Sequence, residues 1–180
     1  DDRAVCGRAE GRVRCLRTLE VTDEATPFVQ LLRGPGAPCG RTADGDVFCF
    51  QRTDALEADA ELTAVPLPAP ITALASDGGQ ILALAGDGRL FAFVPPAHGG
   101  GPARLLAEGV THLAGDDWTR ACWLTEVALR CTTGTRHSGR GTRLGGGTGL
   151  ACFAGPEGGW CDGLEDPGAL GRSEVSSLAV

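Results

Sequence analysis

Apolar residues recur along the chain in short runs punctuated by glycine, proline and aspartate. Phe28-Val29-Gln30-Leu31-Leu32, Ile71-Thr72-Ala73-Leu74-Ala75, Val110-Thr111-His112-Leu113-Ala114 and Thr142-Arg143-Leu144-Gly145 each lead into a small-residue turn. Beyond each turn lie two further runs that bracket a tight turn, the signature of a β-hairpin. The hairpins fall near residues 4–16, 37–50, 80–93, 120–132 and 150–162. Four of them carry a cysteine on each arm: Cys6/Cys15, Cys39/Cys49, Cys122/Cys131 and Cys152/Cys161. Folded as antiparallel hairpins, these cysteines face one another across turns at Glu10-Gly11, Ala43-Asp44-Gly45, Glu126-Val127 and Pro156-Glu157. The glycine of the second turn sits where φ > 0 is needed, whereas Glu126-Val127 is poor turn chemistry.

The remaining hairpin, Ile81 to Phe93, has Leu82 and Ala92 where Pro38 to Phe50 has Cys39 and Cys49, and Asp87-Gly88 where that copy has Asp44-Gly45. The repeat survives loss of the sulfur, which favours structural cysteines over a metal or redox centre. Equivalent positions at 6, 39, 82, 122 and 152 are separated by 33, 43, 40 and 30 residues. Units of this size cannot bury an apolar face alone and must stack on their neighbours. The first hairpin has no leading segment, but Val175-Ser176-Ser177-Leu178-Ala179-Val180 at the other end matches one: joined to Asp1-Asp2-Arg3-Ala4-Val5-Cys6, it aligns with Val110 to Cys122. The expected fold is therefore all-β, a single domain over 1–180. It is a five-bladed β-propeller closed by pairing of the C-terminal strand 175–180 with the N-terminal hairpin, which removes exposed sheet edges.

Composition narrows the function. Apolar residues make up 42% and charged residues 22%, consistent with a packed core. The net charge is −7, and every basic residue other than histidine is arginine. That balance disfavours nucleic acid and anionic lipid as partners, and no apolar run is long enough to insert into a membrane as a helix. The chain starts at Asp1 without an initiator Met, as expected after removal of a targeting segment or trimming. Eight cysteines, an even number, point to an oxidising, secreted or periplasmic compartment.

The stretches Val65-Pro66-Leu67-Pro68-Ala69-Pro70-Ile71 through Phe93, Gly45-Asp46-Val47-Phe48-Cys49-Phe50 and Arg120-Ala121-Cys122-Trp123-Leu124 resemble the regulator-of-chromosome-condensation repeat. More narrowly, they look like its bacterial secreted, disulfide-containing variety. The resemblance implies a propeller and a binding role rather than a shared reaction. Relatives include nucleotide-exchange factors, chromatin binders and secreted β-lactamase inhibitors.

In such a blade the turns between the first and second strands share one face with the loops between the third and fourth. On that face the repeat places Arg33, Asp77, Gln80, Asp116, Asp117 and Trp118, together with Arg52, Arg136 and His137. This ring of acids, arginines and an aromatic anchor is the expected partner-binding surface, for an unknown protein partner. Trp123 and Trp160 read as strand core, and His137 beside Arg136 also reads as a solvated residue. Cofactors and metals are not expected. No Cys-x-x-Cys occurs, Asp116-Asp117 lacks a multi-ligand calcium loop, and the run Gly139–Gly149 reads as flexible connection rather than a phosphate loop. No serine lies in Gly-x-Ser-x-Gly, so the expectation is a non-catalytic protein-binding module, partner inhibition included. The rivals are a hydrolase or lyase with its site at the central channel mouth, and a carbohydrate-binding propeller.

Overall fold

The computed structural model describes residues 6–9, 12–15, 28–33, 37–50, 62–115, 120–138, 141, 143–147, 150–155 and 158–162. Among them, seventeen strands form five antiparallel sheets in chain order. The first sheet is the hairpin β1 (Cys6–Ala9) and β2 (Arg12–Cys15). The second runs β3 (Phe28–Arg33), β4 (Pro38–Thr42), β5 (Val47–Phe50), β6 (Leu62–Val65). The third runs β7 (Ile71–Ser76), β8 (Ile81–Ala85), β9 (Leu90–Phe93), β10 (Arg104–Ala107). The fourth runs β11 (Val110–Gly115), β12 (Ala121–Thr125), β13 (Ala128–Cys131), β14 (Arg136–Ser138). The fifth runs β15 (Arg143–Gly147), β16 (Leu150–Gly155), β17 (Gly158–Asp162). A short 3-10 turn, Pro96–His98, lies between β9 and β10. The closing strand expected at 175–180 lies outside the described residues.

All five hairpins have the register read from the sequence. Cys6 faces Cys15, Cys39 faces Cys49, Cys122 faces Cys131 and Cys152 faces Cys161. Leu82 faces Ala92 in the cysteine-free copy, and both are buried. Disulfides join Cys39 to Cys49 and Cys122 to Cys131, with Cα atoms 4.1 and 4.0 Å apart. Cys152 is also disulfide-bonded. The poor turn at Glu126-Val127 is closed by Thr125, whose Oγ1 accepts from the Ala128 amide at 3.2 Å and donates to the Ala128 carbonyl at 3.1 Å. Arg143–Gly147 pairs residue for residue with β16, in line with the leading segment read at 142–145, so this part of the Gly-rich run 139–149 is strand rather than flexible connection.

The core lies between successive sheets. Along β8 the side chains alternate: Ile81, Ala83 and Ala85 join a cluster with the second sheet, while Leu82 and Leu84 join one with the fourth. The third sheet is thus buried on both faces, which explains its unbroken apolar sequence. Each fully buried Leu, Ile or Phe contributes about 2 kcal/mol.

The first strands of consecutive sheets lie side by side, β3 on β7, β7 on β11 and β11 on β15. Each of β3, β7 and β11 has a bulge near its start, at Phe28/Gln30, Ile71/Ala73 and Val110/His112. In the latter two the bulged residue is a threonine whose hydroxyl donates to the next strand, Thr72 to Leu84 O at 3.1 Å and Thr111 to Leu124 O at 3.2 Å. Gln30 acts as a surrogate strand residue, accepting from the Leu74 amide at 3.0 Å and donating to its carbonyl at 2.8 Å.

The Asp-Gly turns fasten one sheet to the next. Gly45 (φ +88°) accepts a hydrogen bond from the Ile71 amide at 2.9 Å, and Gly88 (φ +83°) accepts one from the Val110 amide at 2.9 Å. Each donor is the first residue of the following sheet. At Gly45 a Cβ would stand 2.6 Å from the Ile71 nitrogen and 2.8 Å from Pro70 Cβ. We expect Gly45→Ala to lower unfolding stability by about 2–4 kcal/mol through strain and the lost latch. Gly86→Ala, whose new methyl meets only the Thr72 methyl carbon at 3.5 Å, should stay within about 0.5 kcal/mol. Urea denaturation of the two variants makes the comparison, and equal midpoints would remove the latch from the account.

Candidate binding surfaces

Two opposite rims of the stacked sheets carry the turns. The first holds the turns between first and second strands, where Asp77 and Gln80 lie as expected. Both are committed to the turn itself. Asp77 Oδ1 accepts from the amides of Gly79 at 3.0 Å and Gln80 at 2.9 Å, and Oδ2 accepts from Gln80 Nε2 at 3.1 Å. Beneath them Ser76 is fully buried, its hydroxyl donating to Gln80 O at 3.4 Å and accepting from the Gly78 amide at 3.2 Å. Gln80 Oε1 also meets Arg104 at 3.5 Å. A short carboxylate that hydrogen-bonds backbone amides two and three residues on fixes such a turn, so Asp77 shapes this rim before it contacts anything else.

Arg33 ends β3 opposite Pro38. Arg136 and His137 lie within β14 rather than in a loop, opposite Arg130 and Leu129. Arg136 is exposed on this outermost strand of the fourth sheet. Asp116, Asp117, Trp118 and Arg52 lie outside the described residues; among the described side chains of the expected ring, Asp77 and Gln80 are in direct contact.

The second rim holds the turns between second and third strands and the links from each sheet to the next. There Asp87 carries an ion pair to Arg89 at 2.7 Å, and Arg89 lies over the Phe91 ring at 5.4 Å. The hydrogen bond from the Arg89 amide, with its guanidinium adding to it, holds the Asp87 carboxyl below the usual carboxylate range. Beside this turn a groove of about 930 Å³ opens between the third and fourth sheets. Sequence reasoning missed it, because the residues lining it are read singly as turn acids and strand core. Trp123, expected as core, is 7% exposed and forms part of its wall. Among the described residues no group of three or more His, Cys, Asp or Glu could hold a metal ion, and no helix is long and apolar enough to cross a membrane.

Stacked four-stranded antiparallel sheets with first strands side by side define a β-propeller-type fold, and solved structures share it. Human WBSCR16 aligns with a TM-score of 0.57 at 17% identity over 89% of this chain and 52% of its own. The CRINKLY WD40 ectodomain of the Arabidopsis thaliana receptor kinase ACR4 aligns at 0.57 and 18% identity, over 95% and 64%. Prp20p of Saccharomyces cerevisiae, yeast RCC1, described with its binding to Gsp1p and histones, aligns at 0.54 and 12% identity, over 86% and 48%. The chain spans about half to two thirds of these proteins' lengths. No protein-family model matches it, and no curated protein sequence does.

Asp77→Ala removes three hydrogen bonds that shape the first rim, and we expect it to cost about 1–2 kcal/mol of stability. A thermal melt reads this, and an unchanged Tm would show the turn to be held without the carboxylate.

Proposed function

We propose that the chain is a non-catalytic, protein-binding propeller module that acts outside the cytoplasm. In this reading its blades number five and segment 175–180 pairs with the N-terminal hairpin to close the ring. The observation that carries the reading is the repeated sheet-to-sheet hydrogen bond, Gly45 to Ile71 and Gly88 to Val110. It ties the sheets into a stiff frame, and loops on a stiff frame bind a partner without a large ordering cost. The disulfides across the hairpins support a location where thiols oxidise. Among structures of similar fold, Prp20p was described with Gsp1p and histones and was also solved bound to Kap60. A protein partner suits the surface of this chain as well.

The contact surface is the first rim, with Trp118 as its aromatic anchor and Arg136 and His137 at its outer edge. Blocking the partner's own activity is one form that binding takes. Trp118→Ala and Arg136→Glu test the assignment. Binding of a partner isolated from the native extracellular fraction should weaken by about tenfold or more in Trp118→Ala, the loss typical of an interface anchor, with the Tm unchanged. Wild-type affinity in both variants would move the contact off this rim.

A further inference from the structure

The links between sheets differ in length, and the difference opens the groove. Between β6 and β7 the chain uses residues 66–70, Pro-Leu-Pro-Ala-Pro; between β10 and β11 it uses only Glu108 and Gly109. In the longer link Leu67 and Ala69 pack against the cluster between the second and third sheets. The space left beside the Gly45 turn is about 310 Å³. One sheet further on, the link is too short to cover the corresponding site, and about 930 Å³ stays open beside the Gly88 turn. Gly109, at φ +68°, makes the tight connection.

Three features describe what would fill that space. Trp123 stands in the wall at the position Ala83 holds in the third sheet, and its buried indole N–H has no hydrogen-bond partner. Native structures leave few such donors unmet, and a carbonyl in the groove would meet this one once the ring turns toward it. Leu106, half-buried, and Val127, 68% exposed, give the groove apolar sides. Asp87, Glu108 and Glu126 are exposed in the lining against one arginine, Arg130. Asp87 is paired with Arg89, whereas Glu108 and Glu126 make no ion pair among the described residues.

We propose that this groove binds an extended, proline-containing segment of a partner protein that carries a basic residue. The chain's own 66–70 link is the internal precedent: proline and small apolar residues laid over the junction of two sheets beside an Asp-Gly turn. Proline segments bring carbonyl acceptors, few amides and little conformational entropy to lose, and they dock where aromatic side chains offer N–H donors. Glu108 and Glu126 select a cation at the mouth. The site lies on the rim opposite the Asp77 turn, so it adds a second contact surface to the one proposed above.

The probe is a fluorescein-labelled peptide, Arg-Pro-Leu-Pro-Ala-Pro, titrated with the full chain and followed by anisotropy. Saturable binding is expected, with a dissociation constant on the order of 100 µM for so short a ligand. Reversing two exposed charges, Glu108→Arg with Glu126→Arg, should weaken it by about tenfold. Trp123→Phe keeps a ring but removes the donor and should weaken it severalfold. In a proton–nitrogen spectrum, the indole signal missing from Trp123→Phe should move as wild-type protein takes up peptide. Absence of saturation up to about 2 mM, unchanged affinity in the double charge reversal, or equal binding of a peptide with Glu in place of Arg would each overturn the proposal. None of these outcomes bears on the Trp118 rim, whose test uses different residues and a different ligand.

Discussion

One backbone hydrogen bond, made twice with the same geometry, carries the architecture: the carbonyl of an Asp-Gly turn takes the first amide of the next sheet. It requires a residue at positive φ with no side chain, because the following strand passes too close to Gly45 for a Cβ. Without it the sheets would still stack through their apolar faces, since burial is non-directional. They would lack a fixed angle and height relative to one another. The directional bond and the non-directional core therefore do different work. The clusters between sheets supply most of the free energy, and the latches, with Gln30 and the bulge threonines, supply the register.

The latch also explains why the two rims differ. The rim with the Asp-Gly turns faces the links between sheets, so its shape follows from how many residues each link has to spare. A five-residue link covers the junction; a two-residue link leaves it open. On the opposite rim, the described turn from Ser76 to Gln80 is self-contained, its polar groups satisfied locally. The content of such a turn can vary without disturbing the stack. A single chain can thus present one surface of variable turns and another made by the spacing of its repeats.

Much of the strand framework was legible in the sequence, because a hairpin forces two residues to face each other and the chain marks those positions with cysteine. Where cysteine is replaced, Leu82 and Ala92 keep the same cross-strand pairing, so the repeat could be followed through it. Other elements left no such mark. Gln30 reads as an ordinary polar strand residue; its role depends on Leu74, forty-four positions away. Arg136 and His137 read as loop because turn-forming residues surround them, yet cross-strand pairing with β13 makes them strand. Asp77 and Gln80 were legible as rim residues but not as each other's partners, since side-chain hydrogen bonds follow turn geometry rather than composition. The groove was invisible because it arises from a difference between two links, and its key feature, the unmet Trp123 N–H, belongs to a residue that pattern alone assigns to the core.

Amide hydrogen exchange at Ile71 and Val110 tests the central claim most directly. Both residues begin their strands, where fraying would ordinarily permit rapid exchange. If the Asp-Gly carbonyls latch the sheets together, these two amides will exchange as slowly as those in the middle of β8. Exchange at the rate of an exposed loop amide, such as Gly101, would contradict the account, leaving the sheets stacked but not tied.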